Sequence, residues 1–443
     1  MQKKILLSPL VSNLLGLPQK LKSDRLLKNS LYLMISTFVM SVTGFVFWII
    51  NTRIYSPDEI GLATTFISVT TLIISLSMAG LNIAIVRFLP KSEHKNELIN
   101  TSFSLVLVVT LIITFIFLLG IHRFSPPLES FLSNPLYILL FIPFILTASL
   151  NMITDSVFIS YGKTFLIMII NILMSLSKLG FAVVFAGLGV MGIISSFSLS
   201  TIFATLLSFF LLIKYCNYSF FLRIHKKQLQ QMWKFSFGNY LSSILSSITT
   251  LLTPLLITSK LSPEVTAYYY MPTMIITLLL SIPRSTVTSL IAEGSREEES
   301  IFKLALKSLS HVYLILVPAS IATIILGKTI LSVFGKNYST EGYTYLILLL
   351  IGVLITVPSL IIGGVLSINK KVKLQFFLNL IAAILSLSLN IIFLPKGLYG
   401  LGVADILFRG ILALIYFAIA LSESSVFKYK VNKLRYQKRT DHY

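Results

Sequence analysis

Cysteine is nearly absent: Cys216 stands alone in 443 residues. An internal disulfide is therefore excluded, and so is any cysteine-based metal site. Its juxtamembrane position would suit S-palmitoylation, although an inert thiol is the simpler expectation. Acid is also scarce, with 16 Asp and Glu against 36 Lys and Arg. Charge of either sign makes up only 12% of the chain, whereas 55% is hydrophobic and the mean hydropathy is +0.88. So much apolar surface cannot be hidden inside a soluble core, which leaves a polytopic membrane protein. A net charge of +20 would suggest nucleic acid in a soluble protein. Here the cations sit in short loops and at both ends, as membrane topology requires, and no nucleic-acid partner is expected. The sequence also has no Gly-rich phosphate loop and no His-Glu-x-x-His pair, so neither nucleotide nor metal chemistry is called for.

What the chain does have is apolar runs. Twelve windows are long enough to cross a bilayer, at 29–52, 60–86, 98–119, 136–160, 165–186, 190–213, 236–259, 265–292, 309–326, 343–367, 374–394 and 400–421. Pro318 and Gly327 interrupt the ninth. The lead-in 1–28 carries six Lys and Arg around an apolar patch at 5–17, with no small-residue cleavage site behind it. It reads as a cytoplasmic, interfacial segment rather than a signal peptide. Counted on alternate sides of the twelve spans, 27 Lys and Arg fall with the two termini and 6 on the opposite side. Both termini are therefore expected in the cytoplasm of a multi-pass protein of the cell membrane.

The basic stretch 214–235 divides the chain into two halves of similar pattern. Ser56-Pro57-Asp58-Glu59 follows the first span and Ser262-Pro263-Glu264 the seventh, an offset of 206. Each combines an N-capping Ser, a Pro at the first helical position and carboxylate in the first turn. Residues 161–192 align without a gap on 369–400 at an offset of 208, with Lys163, Leu166, Asn171, Phe185, Gly189 and Gly192 among the residues matched identically. Both halves start on the cytoplasmic side, so the repeats are parallel. The expected fold is all-α: twelve transmembrane helices in two six-helix bundles, 29–213 and 236–421, related by a pseudo-two-fold axis along the membrane normal. The linker 214–235 joins them and a basic tail, 422–443, follows. A cleft between two such bundles suits a transporter working by alternating access.

Asn29-Ser30 entering the first span, SPDEIG at 56–61, the run from Gly61 to Lys91 and GLGVMG at 187–192 carry a family likeness. Within it Gly80, Arg87 and Pro90 are the most characteristic residues. On these the chain resembles the polysaccharide flippases, the O-antigen and exopolysaccharide exporters of the superfamily that includes multidrug and toxin extrusion transporters. The resemblance extends over the whole chain. It implies movement of a polyisoprenyl-diphosphate-linked oligosaccharide from the inner to the outer leaflet for surface polysaccharide biosynthesis. It further implies membrane lipid and the polymerase or glycosyltransferases of the same pathway as partners.

Such a cargo needs cations for its diphosphate and hydrogen bonds for its glycan. Candidate cations are Lys178, Arg284 and Arg409 within spans, and Arg87 at the inner end of the second. A cation at bilayer depth costs at least about 2.5 kcal/mol on insertion scales, so it marks a cavity or a partner. For Lys178 and Arg284 the competing reading is snorkelling or a pair with Asp155 or Asp405. Arg409 lies one turn from Asp405 and can satisfy itself there, and Arg87 can reach the headgroups. Asn151, Asn171 and Asn379, with Asn390, are the amides able to meet sugar hydroxyls, helix-to-helix hydrogen bonding being the alternative. Asp155 or Asp405 could carry a coupling proton or sodium ion, although Lys163 or Arg87 would neutralise Asp155 structurally. No other cofactor is expected. Pro254, Pro272, Pro283, Pro318 and Pro358 fall within spans of the second half against Pro143 in the first, and could form a bending gate.

Two further classes compete. A membrane glycosyltransferase could use Asp58-Glu59, but the counterpart at 262–264 reads as a helix-start device and no outer loop is long enough for an acceptor site. The chain is therefore not expected to be an enzyme. A cation-coupled multidrug antiporter would need acids to dominate its cavity, whereas here cations outnumber them. A lipid II flippase should carry two further spans. Glu297-Glu298-Glu299 reads as a solvated helix start, and Asn337-Tyr338-Ser339 as a chance glycosylation sequon.

Overall fold

A computed structural model describes residues 25–221, 223–294 and 301–440, and among these the chain is helical with no strand. The lead-in before Arg25 and the Glu297–Glu299 run lie outside the described residues. In chain order the helices are α1 (Arg25–Ile54), α2 (Pro57–Ser77), α3 (Leu81–Phe88), α4 (Lys95–Phe124), α5 (Pro126–Leu132), α6 (Pro135–Ser160), α7 (Thr164–Val184) and α8 (Val190–Cys216). The second half contributes α9 (Lys226–Lys260), α10 (Pro263–Gly294), α11 (Ile301–Ser332), α12 (Lys336–Ile368), α13 (Val372–Phe393) and α14 (Gly397–Thr440). Eleven helical segments are long and apolar enough to cross a membrane. The last, Val372–Ser422, holds both α13 and α14, broken by a 3-10 turn at Leu394–Lys396, so twelve spans are accounted for.

Two of the expected spans take a different form. The window 60–86 is broken: α2 stops at Ser77, Ala79 and Gly80 take left-handed backbone (φ 46° and 77°), and α3 restarts at Leu81. Two consecutive residues of that hand cannot continue a right-handed helix. The ninth span, by contrast, is continuous through Pro318 and Gly327. Proline removes one backbone hydrogen bond, which neighbouring helices make tolerable in a membrane. Gly327 lies where a Cβ would come within 3.1 Å of both Leu346 and Tyr343. The five second-half prolines and Pro143 all sit inside helices.

The chain forms two compact units. Unit 1 comprises residues 1–54, 73–122 and 129–240; unit 2 comprises 55–72, 123–128 and 241–443. In unit 1, α1 packs on α7, α6 on α8, α7 on α8 and α3 on α6. Phe103, Phe158, Ile170, Ile85 and Leu212 are wholly buried in its core. The non-helical residues after α8 are tied to α4: Asn100 Oδ1 accepts from Tyr218 Oη (2.5 Å) and Phe221 N (3.1 Å), and its Nδ2 donates to the Ser219 carbonyl (3.1 Å). In unit 2, α12 is the hub, packing on α10, α11 and α14. Small residues permit this approach. A Cβ on Gly364 would stand 3.0 Å from Val287, and one on Gly342 3.1 Å from Pro272.

The repeated sequence has a repeated backbone. Gly162 N donates to Ile159 O and Lys163 N to Phe158 O at 2.9 Å each; 208 residues on, Lys370 N donates to Ser367 O (3.1 Å) and Lys371 N to Leu366 O (3.0 Å). Both are Schellman helix ends with one left-handed residue, Gly162 (φ 66°) and Lys370 (φ 55°). Gly189 (φ 60°, ψ −149°) and Gly397 (φ 63°, ψ −150°) adopt the same conformation at the same offset. The two Ser-Pro turns both cap helices: Ser56 Oγ accepts from Glu59 N (3.3 Å) while Glu59 Oε2 accepts from Ser56 N (2.8 Å), and Ser262 Oγ accepts from Val265 N (3.2 Å). Both belong to unit 2, where a Cβ on Gly61 would overlap the Pro263 carbonyl.

Candidate functional site

In unit 1, α7 presents Lys178 to aromatic faces. Its Nζ lies 5.2 Å from the centre of the Phe47 ring on α1 and 4.7 Å from that of Phe197 on α8. The two rings meet edge to face at 4.9 Å. No carboxylate pairs with Lys178 among the described residues, and within unit 1 the competing pair with Asp155 is not formed. Ring quadrupoles attract the ammonium without cancelling its charge. As an ammonium it keeps its hydrogen-bond donors for an anion.

The corresponding region of unit 2 is chemically different. Arg409 Nε donates to Asp405 Oδ2 at 2.6 Å, one turn away on α14, and its Nη1 donates to Thr356 Oγ1 on α12 at 2.7 Å. Gly352 makes room, since a Cβ there would lie 2.5 Å from Asp405 Oδ2 and 2.9 Å from Arg409 Cδ. Buried Tyr269 and Tyr345 meet at 5.5 Å between ring centres. Arg409 is therefore neutralised by its own helix, as its i,i+4 spacing allows.

Arg284 is exposed on α10, directly after Pro283, and its side chain makes no ion pair among the described residues. Arg87 is exposed at the end of α3, its guanidinium 5.8 Å from the Phe88 ring. On α6, Asp155 Oδ1 is buried with no hydrogen-bond partner. The expected neutralisation by Lys163 or Arg87 is not made among the described residues; Lys163 Nζ donates to the Tyr215 carbonyl.

All four candidate amides hydrogen-bond between helices. Asn151 Nδ2 donates to Ser208 Oγ (3.5 Å), Asn171 to Ser36 (2.9 Å), Asn379 to Ser242 (2.8 Å) and Asn390 to Thr253 (3.1 Å). The pairs of Asn171 and Asn379 are one clamp made twice, joining the fifth span of each half to its first. The structure does not bring the predicted residues into a single cluster within either unit. It adds Phe47, Phe197, Thr356 and Gly352, of which only Gly352 and Thr356 had a sequence signal, a small residue and a hydroxyl one turn apart.

The polysaccharide biosynthesis protein family profile matches residues 26–291, more than half the length. The chain belongs to that family. A search of curated proteins gave no match. Among solved structures, this family member is similar to an inward-facing multidrug resistance MATE transporter of the MOP superfamily (15% identity, TM-score 0.72, 90% of this chain and 99% of that one). It is similar also to the lipid II flippase MurJ in an inward closed conformation (17%, 0.73, 88% and 87%). A third is a MOP superfamily transporter from Pyrococcus furiosus (17%, 0.62, 91% and 96%), whose binding pocket is described as reversed in polarity, suggesting a different function. At these identities the likeness is one of fold, the helical fold of MOP transporters. With eleven helical segments long and apolar enough to cross a membrane, the chain is a multi-pass membrane protein.

Proposed function

We propose that this protein is a flippase that moves a polyisoprenyl-diphosphate-linked oligosaccharide from the inner to the outer leaflet of the cell membrane by alternating access. The observation that carries the reading is Lys178: an ammonium at span depth, held by two phenylalanine rings and left without a carboxylate. A charge kept uncancelled at that depth is expensive unless it meets an anion during the working cycle. Exposed Arg284, in no ion pair among the described residues, offers a second such charge in unit 2. The family's role in polysaccharide biosynthesis supports a glycan as the cargo. Asp155, whose buried oxygen is unspent, is the candidate for a coupling proton or sodium ion, ahead of Asp405, which Arg409 already neutralises.

The competing reading is a cation-coupled multidrug antiporter, which the MATE-like fold favours. Against it, Lys178 and Arg284 carry positive charge that no carboxylate among the described residues pairs, whereas Asp405 is already paired with Arg409. Deleting the gene and measuring lipid-linked glycan on each side of the membrane separates the two. Intermediate trapped on the inner side with loss of surface polymer is expected. Altered drug sensitivity with unchanged glycan would replace the flippase with the antiporter.

A further inference from the structure

One end of unit 1 carries lysines laid on tyrosine rings. Lys95, the first residue of α4, has its Nζ 5.4 Å from the centre of the Tyr161 ring. Lys163, in the turn between α6 and α7, lies 5.9 Å from that same ring and 5.9 Å from the Tyr215 ring. Lys214, at the end of α8, lies 5.5 Å from the Tyr215 ring. The three ammonium groups therefore form one row with two rings between them. Lys28 repeats the motif over Tyr32 at 6.0 Å, and Tyr32 in turn meets Phe165 at 5.2 Å. No carboxylate pairs with Lys95, Lys163 or Lys214 among the described residues. Glu97, farther along the first turn of α4, is engaged by His94 (3.4 Å) and His225 (3.6 Å).

The Phe210 ring, 5.8 Å from Lys214 Nζ, is exposed, as are Ile213 one residue before Lys214 and Phe165 two after Lys163. Three uncancelled cations beside bare hydrocarbon repel one another unless an anion with its own hydrocarbon settles over them. Aromatic side chains with a polar tip suit the headgroup level of a bilayer, and basic pockets between helices there bind anionic headgroups. The duplication shows that this is no general property of the fold. At the matching turn of unit 2 the lysine is kept as Lys371, but Asn369 stands where Tyr161 stands.

We propose that Lys95, Lys163 and Lys214, with Tyr161 and Tyr215, form a binding site for the headgroup of an anionic phospholipid. Its phosphate lies along the lysine row and its acyl chains lie against Phe165, Phe210 and Ile213. The site is independent of the cargo assigned above.

The test uses the full chain in nanodiscs of phosphatidylcholine, titrated with phosphatidylglycerol, with lipid retention read by native mass spectrometry. The double variant Lys95→Gln/Lys214→Gln leaves the Lys163 bond to Tyr215 in place and is expected to retain phosphatidylglycerol about 25-fold less well, about fivefold for each lysine removed. Lys95→Arg/Lys214→Arg should restore retention. Lys370→Gln/Lys373→Gln, which removes two unit 2 lysines, should leave it unchanged. Equal loss in the Lys370/Lys373 variant, or no loss in the Lys95/Lys214 variant, would overturn the site. Displacement of phosphatidylglycerol by an equimolar polyisoprenyl diphosphate would overturn the assignment to phospholipid and make the row a port for cargo.

Discussion

The two halves of this chain share their joints and differ at their centres. Carrying the repeat offsets inward, Phe47 corresponds to Thr253, Lys178 to Ser386 and Phe197 to Asp405. Unit 1 thus holds a cation between rings where unit 2 holds hydroxyls and an acid that Arg409 neutralises. The Schellman turns, the outer glycines and the asparagine clamps are kept in both. Positions that fix the backbone have stayed fixed by sterics and unpaired polar groups, which allow few residue types. Positions that face one another across a bundle tolerate any set that satisfies itself, and there the halves have parted. One has become a charged centre, the other a neutral one.

The largest effect is expected where the neutral centre is broken. Arg409→Met leaves Asp405 partly buried beside Tyr269 and Tyr345 without its cation, and should destabilise the protein by about 3 kcal/mol. The double variant Asp405→Leu/Arg409→Met should recover most of that loss. Thermal unfolding in detergent reads both, and a single variant as stable as the parent would show that the pair does not hold unit 2 together.

Lys178→Ala attacks the charged centre instead. It removes an ammonium without orphaning a carboxylate, so the loss of stability should be limited to its two ring contacts, about 1 kcal/mol. Export of surface polymer should fall at least about tenfold, the scale of one lost charge-assisted hydrogen bond, about 1.4 kcal/mol. Lys178→Arg should keep part of it. Wild-type export by Lys178→Ala at normal protein level would remove this residue from the cargo's path.

The spans were legible because hydropathy and length act over about 20 residues and need no knowledge of partners. The turn at Ala79 and Gly80 was not, since apolar residues run through it and backbone hand leaves no trace in hydropathy. The pairing of Asp405 with Arg409 could be read from its spacing along one helix. The rings beside Lys178 could not, because Phe47 and Phe197 come from other helices and look like every other phenylalanine in an apolar run. Asp155 was expected to find Lys163 or Arg87 and pairs with neither among the described residues, because pairing across helices leaves no spacing to read along one of them.

The Schellman turns give a smaller and more exact comparison. Lys370 holds a left-handed conformation that Gly162 holds without cost in the other half. Lys370→Gly should therefore stabilise by about 1 kcal/mol, and Gly162→Ala should destabilise by a similar amount. Opposite shifts of the melting temperature are expected, and shifts of the same sign would mean that the two turns are not one device.

The smallest effects belong to the asparagine clamps. Asn171→Ala and Asn379→Ala each lose one interhelical hydrogen bond to serine, worth about 0.6 kcal/mol in a membrane protein. Each also leaves Ser36 or Ser242 free to bond its own helix, as many serines of this chain do. If the amides serve only to join the fifth span to the first, the two losses should be equal within error and add in the double variant, because the sites share no partner. Export should then follow stability in both. A loss of export in Asn171→Ala alone, with the two stabilities still equal, would mean that the charged half uses its amide on cargo as well as on Ser36, extending the divergence of the two centres to their joints.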